Sequence, residues 1–320
     1  MVQNLRFTTE ICDEPSRILY LALTNLECGK YKSLSKEIGR CIEITTYFQF
    51  KRNPSHYDYI FCDNVQNISE NTLSIIKGHA RFVIVTINPY LSFEDNEFFS
   101  QEPTLTIETV QSCLSPMFFE LQHSYLKFDK SIIFQLLPNL PNKTVPTIIP
   151  KTSQWKCPIH ICKAQKTEDE IDFVISHTKG AFNCGYTVGV LLPSHNYILQ
   201  FIQKYLESTG KKQWDVKLNK WGKVDFKNLN LFFSELDIPM QYLGGSYGEV
   251  NNIETKINIL TYYGSIGLEF DNVYMPFINN ELFIYLDEKK SKMTFVTALT
   301  SFHERIFLSL VETSTHISMR

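Results

Sequence analysis

The chain has 320 residues, a length typical of about two domains of ordinary size. Hydrophobic residues make up 43% of it, with 24 Phe and 16 Tyr, which is ample for buried cores and excludes wholesale disorder. The formal net charge of -3 comes from 31 basic and 34 acidic residues. Because the overall charge is nearly balanced, it gives no reason to expect that the protein binds nucleic acid. A local basic groove is still compatible with this balance.

The first half of the chain alternates short apolar runs with helical patterns. The runs at 17–23, 57–62 and 81–86 predict strands, and the patterns at 29–38 and 70–77 predict helices between them. Alternation of this kind is typical of an α/β fold with a mostly parallel sheet.

Prolines 138, 141, 146 and 150 mark the segment 138–155 as a linker, because proline at this density resists helix and central strand. The prediction is therefore an N-terminal domain at 1–137 and a C-terminal domain at 156–320. A second α/β set follows the linker. Its predicted strands are near 159 and at 187–192, 258–261, 272–275 and 305–310, and its predicted helices are at 167–177, 196–208, 226–236 and 291–301.

Two segments near the C-terminus carry the most specific pattern: TYYGSIGLEFD at 261–271 and KMTFVTALTSF at 292–302. They resemble the last two motifs of UvrD/Rep-like superfamily 1 helicases, T-x-H-x-x-K-G-L-E-F and Y-V-A-L-T-R-A. Gly267 and Glu269 keep the family residues, whereas Tyr263 stands for His, Ile266 for Lys and Ser301 for the phosphate-reading Arg. The resemblance implies two RecA-like (P-loop NTPase-type) lobes joined by the Pro-rich linker.

The first half resembles the same family more weakly. The run YDYIFCDNVQNIS at 57–69 is similar to the Walker B pattern y-D-x-I-x-V-D-E-A-Q-D, in which the last strand acid holds Mg²⁺ and the next Glu positions water. Asp63 and Gln66 are kept, but Asn64 replaces the Glu. An amide cannot act as a base at neutral pH, so hydrolysis is expected to fail.

Other phosphate-facing positions have also changed. No G-x-x-x-x-G-K-[ST] occurs in the chain, so the phosphate cradle is missing. Thr86 and Tyr90 replace the Gly and Gln of the γ-phosphate sensor, and Leu126 replaces a further arginine of the family. The resemblance thus implies a degenerate, catalytically inactive helicase that uses no cofactor.

Cys157, His160 and Cys162 could supply three metal ligands, but no second ligand pair follows at zinc-site spacing, so no metal is predicted. The apolar runs are also too short to span a bilayer, and no signal segment opens the sequence. A cytoplasmic protein without a membrane partner is expected.

Three functions follow from these observations. The first is a protein-binding or regulatory platform for a catalytic nuclease, helicase or ATPase subunit, in a nucleic-acid-processing or phage-defence complex. The second is a single-stranded nucleic-acid-binding protein that keeps the helicase groove, with Thr261, Tyr263, Lys220 and Trp221 as candidate contacts. The third is an ATPase or helicase completed in trans by a partner. Co-purification, mobility-shift and ATP-turnover measurements distinguish the three.

Overall fold

The computed structural model describes residues 16–38, 42–87, 105–117, 119, 159–220, 222–244, 253–278, 294–295 and 298–311, with backbone alone at 33, 34 and 36–38. The chain divides into two compact units. The described residues of the first unit lie within 16–119, and those of the second within 159–311.

The first unit is a parallel α/β sheet in the strand order β2-β1-β3-β4. Its described elements, in chain order, are β1 (Ile18–Ala22), α1 (Asn25–Ile38), β2 (Glu43–Thr46), α2 (Tyr47–Arg52), β3 (Tyr57–Cys62), α3 (Glu70–Gly78), β4 (Ala80–Val85) and α4 (Ile107–Leu114).

The second unit is a larger parallel sheet in the strand order β5-β10-β9-β6-β8-β7. Its described elements, in chain order, are β5 (Ile159–Ala164), α5 (Thr167–Asn183), β6 (Val188–Leu192), α6 (His195–Ser208), α7 (Phe226–Glu235), β7 (Met240–Tyr242), β8 (Ile257–Thr261), β9 (Phe270–Met275) and β10 (Phe302–Val311).

Each unit has its own hydrophobic core, formed where helices pack on the sheet. In the first unit β1 is buried on both faces, as expected of a central parallel strand, and Cys28 and Tyr31 of α1 cover one of those faces. In the second unit β6 is buried along its whole length. Apolar side chains of α5, α6 and α7, such as Val174, Phe201 and Phe233, pack around it.

The α/β prediction with parallel sheets is confirmed for the described strands. The predicted helix at 167–177 is longer than expected and ends at Asn183, and β2, α2, α4 and β7 were not predicted. The Pro-rich segment 138–155 lies outside the described residues, as does most of the predicted helix 291–301, whose described residues 294–295 and 298–299 are helical. No described helix is long and apolar enough to cross a membrane.

Candidate functional site

The first sheet has a topological switch point between β1 and β3. The chain leaves β1 toward β2 on one side, and leaves β3 toward β4 on the other. In open parallel sheets, ligands bind outside the carboxyl ends of the strands at such a point. Leu23 and Thr24 follow β1 there, and Asp63 follows β3. We call this place the β1–β3 crevice.

Asp63 is buried in the β1–β3 crevice and is tied to the end of the next strand. Its Oδ1 accepts a hydrogen bond from the hydroxyl of Thr86, which follows β4. The Asn64 N–H donates to the same Thr86 oxygen at 3.1 Å. The Asp63 carbonyl oxygen accepts a hydrogen bond from the Tyr47 hydroxyl at 2.7 Å. Asp63 and Thr86, which were predicted from separate motifs, are therefore joined in one hydrogen-bonded group with Asn64 and Tyr47.

Asn64 stands where the helicase resemblance expects a glutamate. Its backbone has φ 56, in the left-handed region that asparagine tolerates better than most residues. Its Oδ1 accepts a hydrogen bond from Nε2 of the buried Gln66 at 3.3 Å. The Asn64 amide is thus held in place, and it has no proton affinity with which to activate a water molecule.

Glu27 is a second buried carboxylate in the crevice, and the motif comparison missed it. Its Oε2 accepts hydrogen bonds from the N–H groups of Leu23 at 2.8 Å and Thr24 at 3.0 Å. In return, the Thr24 hydroxyl oxygen accepts a bond from the Glu27 N–H at 3.1 Å. This reciprocal pattern is a capping box at the start of α1. The T-x-x-E spacing of Thr24 and Glu27 is the sequence signal that could have identified it.

Both carboxyl groups of the crevice have raised pKa values. Burial, and after it the neighbouring Asp63 charge, raises the pKa of Glu27 from its ordinary 4.5 to about 7. Burial also raises the pKa of Asp63, and the Thr86 hydrogen bond opposes that rise. Glu27 Oε1 and Asp63 Oδ2 are buried and accept no hydrogen bond from the residues that the structure describes. Two buried carboxyl groups without hydrogen-bond donors at these oxygens favour the state in which one of the groups keeps its proton.

The crevice contains no recognisable metal site. Within the described ranges, no cluster of three or more His, Cys, Asp or Glu side chains could hold a metal ion. Of the potential ligands at 157–162, His160 and Cys162 lie on β5. His160 is exposed, and its ring stacks on the ring of Phe307 with centroids 4.7 Å apart. Cys157 lies outside the described residues.

In the second unit the two C-terminal motifs meet where Ser301 contacts Ser265 of the short turn that follows β8. Thr261 ends β8, and its Oγ1 accepts a hydrogen bond from the Gly264 N–H at 2.9 Å. Tyr263 opens a short 3-10 turn and is half-buried. Ile266, which replaces the family lysine, is 5% exposed. Its burial explains why an apolar residue is compatible with this position.

Gly267, Glu269 and Ser301 lie close to that turn. Gly267 has φ 76, a left-handed backbone conformation that accounts for a glycine there. Glu269 Oε2 lies 2.7 Å from His303 Nε2 on β10. Ser301 is buried, its hydroxyl donates to the Ser265 hydroxyl at 3.3 Å, and its carbonyl oxygen accepts from the Phe270 N–H at 2.9 Å.

Lys220, one of the candidate nucleic-acid contacts, lies on a hairpin between α6 and α7. Leu218 and Val224 form an antiparallel bridge, and the Asn219 N–H donates to the Lys223 carbonyl at 2.7 Å. Lys220 is exposed at its turn. Trp214, at its base, is fixed by a 3.1 Å hydrogen bond from Nε1 to Asn228 Oδ1. The candidate residues Tyr90, Leu126 and Trp221 lie outside the described residues.

No family model matches the chain, and no curated protein matches it. Among solved structures it is similar to the C-terminal domain of a possible DNA helicase from Lactobacillus plantarum WCFS1, with 15% identity over 49% of this chain and 76% of that chain, and a TM-score of 0.31. A CRISPR-associated protein has 7% identity over 48% of this chain and 16% of that chain, with a TM-score of 0.26. Mss116p bound to ssRNA and AMP-PNP has 12% identity over 97% of this chain and 62% of that chain, with a TM-score of 0.43. All three TM-scores are below 0.5, so no functional conclusion rests on them.

Proposed function

We propose that this protein is a catalytically inactive, helicase-like subunit that binds another protein through its first unit. The observation that carries the proposal is an apolar sheet face of which one half is covered by α1 and the other half is exposed. We call the exposed half the open face; it consists of Tyr59, Phe61, Phe82 and Ile84.

The four side chains share one side of the sheet. Tyr59 pairs with Phe82, and Phe61 pairs with Ile84, in the parallel register of β3 and β4. Phe82 is 46% exposed and Ile84 is 40% exposed, whereas Tyr59 and Phe61 are half-buried. The rings of Tyr59 and Phe82 stack with centroids 5.2 Å apart. A contiguous apolar surface of this kind marks an interaction site more often than isolated exposed residues do.

The size of the open face fits one helix. Neighbouring strands are about 4.8 Å apart, so β3 and β4 together present a strip about 10 Å wide, close to the diameter of an α-helix. On the same side of the sheet, α1 already covers β1 and β2 through Cys28 and Tyr31. An amphipathic helix from a partner, laid beside α1, would complete the helical layer that parallel sheets require.

The contacts of the β1–β3 crevice support the absence of ATP hydrolysis. Asn64 replaces the expected catalytic glutamate and is bonded to Gln66. The Asp63 carboxyl has a raised pKa and is bonded to Thr86. In the second unit Ser301 is buried and is bonded to Ser265, so it offers no charge to a phosphate. A platform of this kind would serve a nuclease, helicase or ATPase subunit in a cytoplasmic nucleic-acid-processing or phage-defence complex.

The test is purification of the natively expressed protein from its own cells, with and without the double substitution Phe82→Asp and Ile84→Asp. A partner that co-elutes with the unaltered chain should be lost with this variant, because two carboxylates cannot be desolvated against an apolar helix. ATP turnover by the purified chain should stay at background.

A matched control is Val216→Asp with Leu218→Asp. These side chains are 53% and 63% exposed and lie on the hairpin of the second unit, so the partner should be retained. Circular dichroism should show all variants folded. A chain that elutes alone from native lysate, or a partner that the open-face variant retains, would contradict the proposal. If ATP turnover occurs only in the assembled complex, the result would favour an ATPase site that the partner completes in trans.

Single-stranded nucleic acid is the second candidate ligand, and the exposed lysines of the hairpin favour it. Lys217, Lys220 and Lys223 are all exposed within one short antiparallel turn. Lysines on a surface turn attract phosphates in a salt-dependent way. Lys220→Glu with Lys223→Glu should abolish a salt-sensitive mobility shift of a labelled single strand. A shift that persists in this variant would exclude the hairpin as the contact.

A further inference from the structure

Arg81 on β4 stands beside the open face. It is exposed, and its guanidinium carbon lies 5.2 Å from the centre of the Phe82 ring. Successive side chains of a strand point to opposite sides of the sheet, so the Arg81 Cβ points away from the side that carries Phe82. The guanidinium therefore reaches the ring around the outer edge of β4, which is an edge strand among those that the structure describes.

Arg81 places a positive charge at this rim that no described carboxylate offsets. The β3–β4 register sets Asp58 opposite Arg81, but Asp58 accepts a hydrogen bond from the Arg17 N–H at 2.8 Å. The Arg17 guanidinium in turn is paired with Glu43 at 3.3 Å. Within the described residues Arg81 has no ion pair. A guanidinium that rests on a ring keeps N–H groups available for a carboxylate.

The position of Arg81 bears on which kind of element can approach β4. A charged side chain at the edge of a strand opposes pairing with a further strand. The same side chain leaves the open face uncovered from above, where Phe82 and Ile84 are 46% and 40% exposed. A helix laid on this face therefore meets apolar side chains first and the guanidinium at their rim.

The direction of α1 indicates how such a helix lies. α1 follows β1 and precedes β2, which are parallel strands, so it begins at their carboxyl ends and ends at their amino ends. Arg81 is the second residue of β4 and thus lies near the amino ends. The C-terminus of a helix carries a partial negative charge, which a nearby cation stabilises. A partner helix that runs in the direction of α1 has its C-terminus beside Arg81.

We propose that Arg81 determines the charge and the direction of the partner helix by binding an acidic residue in its last turn. The apolar stripe of the helix covers Tyr59, Phe61, Phe82 and Ile84, and a Glu or Asp carboxylate of its last turn meets the Arg81 guanidinium. The proposal rests on the proposed function, because the same open face takes the helix. It adds the residue of this chain that selects one helix over another.

The test uses the full chain and two labelled helical peptides of about 18 residues, or about 27 Å, with the same leucine stripe. One has Glu in its last turn and Lys in its first turn, and the other has these exchanged. Fluorescence polarisation at low salt measures both affinities, because salt screens exposed charges. The unaltered chain should bind the peptide with the last-turn Glu about fivefold more tightly, and Arg81→Glu should reverse this preference. Comparing one peptide pair between two proteins cancels any difference in the helicity of the peptides.

Arg52→Glu is the matched control. Arg52 on α2 also rests on an exposed ring, with its guanidinium carbon 4.9 Å from the centre of the Phe48 ring. This variant should keep the preference of the unaltered chain. A photo-crosslinker at the C-terminal residue of the peptide with the last-turn Glu should attach to β4 near Arg81, and one at the N-terminal residue should attach near Thr86.

Two groups of outcomes separate this proposal from the proposed function. Equal affinities for the two peptides, a preference that survives Arg81→Glu, or exchanged crosslinks would overturn the role of Arg81 and leave the open face as a helix site. If neither peptide binds, or if both still bind the Phe82→Asp, Ile84→Asp variant, the open face does not take a helix. The proposed function then fails together with the role of Arg81.

Discussion

Glu27 and Asp63 place two carboxyl groups with raised pKa values inside one crevice, and this links the stability of the first unit to pH. Between about pH 4.5 and pH 7 the folded state keeps a proton on Glu27 that the unfolded chain has released. The folded state therefore binds more protons than the unfolded state in this window. Stability is greatest below the unfolded pKa and declines as the pH rises through about 7.

Glu27→Gln should remove most of this pH dependence. Glutamine keeps an oxygen that can accept the Leu23 and Thr24 N–H groups, and its amide can donate toward Asp63. A pKa raised from 4.5 to about 7 corresponds to about 3 kcal/mol, so the free energy of unfolding of the unaltered chain should fall by up to about that amount between pH 4.5 and pH 8 relative to the variant. Urea denaturation at several pH values measures it. The exposed Glu235→Gln serves as the control, and parallel curves for Glu27→Gln and the unaltered chain would refute the coupling.

Ser301 shows why restoring a family residue need not restore an activity. Its side chain is 3% exposed and is bonded to Ser265. Ser301→Arg should therefore destabilise the chain by about 3 kcal/mol or more, because a charged guanidinium would be desolvated at this buried position. Ser301→Ala should cost about 1 kcal/mol, the value of one hydrogen bond. Chemical denaturation compares the two. An arginine variant as stable as the alanine variant would show that the position opens to solvent.

At the scale of elements, the edge strand β7 is protected by a side chain. Asn230 of α7 accepts a hydrogen bond from the Tyr242 N–H at 2.7 Å and donates to the Tyr242 carbonyl at 2.9 Å. The neighbouring Leu243 N–H donates instead to Ile259 of β8, at 2.9 Å. The Asn230 amide thus occupies outward backbone groups that would otherwise be open to another strand.

Asn230→Ala should destabilise the second unit by about 1 to 3 kcal/mol, because both Tyr242 backbone groups lose their partner. Asn230→Asp should also destabilise it, since a carboxylate accepts the N–H bond but repels the carbonyl. Amide hydrogen exchange should show loss of protection at Tyr242 in both variants. Lys227→Ala, an exposed change on the same helix, should leave that protection intact. If amide hydrogen exchange at Tyr242 is unchanged in the Asn230→Ala variant, Asn230 does not protect this strand edge.

The strands and helices that could be predicted from the sequence are those whose hydrophobic pattern extends over enough residues. β1, β3 and β4 are apolar runs of five or six residues, whereas β7 has only three, too few for any periodicity to register. α2 has six residues, and its signal is the capping box of Thr46 and Gln49 rather than an apolar stripe.

The candidate site shows a similar division. Asp63 and Thr86 were each found from a motif, but the hydrogen bond between them depends on how β3 and β4 align. Asn230 and Tyr242 are 12 residues apart and meet only because α7 packs beside β7. Contacts of this kind depend on the tertiary structure, so no local sequence pattern could have predicted them.

At the scale of the whole molecule, the two units differ in the apolar surface of an edge strand: β4 of the first unit exposes Phe82 and Ile84, whereas β5 of the second unit exposes Ile161. The second unit has a core that spans β6, β8 and the helices α5, α6 and α7. The first unit has a core on both faces of β1, and its open face is exposed. Independent stability depends on a closed core of adequate size, so the two units should behave differently when they are separated.

Residues 156–320, expressed alone, should therefore fold and unfold cooperatively, as followed by circular dichroism and by a dispersed amide NMR spectrum. Residues 1–137 should fold less stably and associate with themselves, because the open face remains uncovered. Sedimentation at several concentrations should show this association, and Phe82→Asp with Ile84→Asp in the same fragment should suppress it. If the 1–137 fragment is monomeric, the open face does not drive association. If the 156–320 fragment is unfolded, the core of the second unit depends on the first unit.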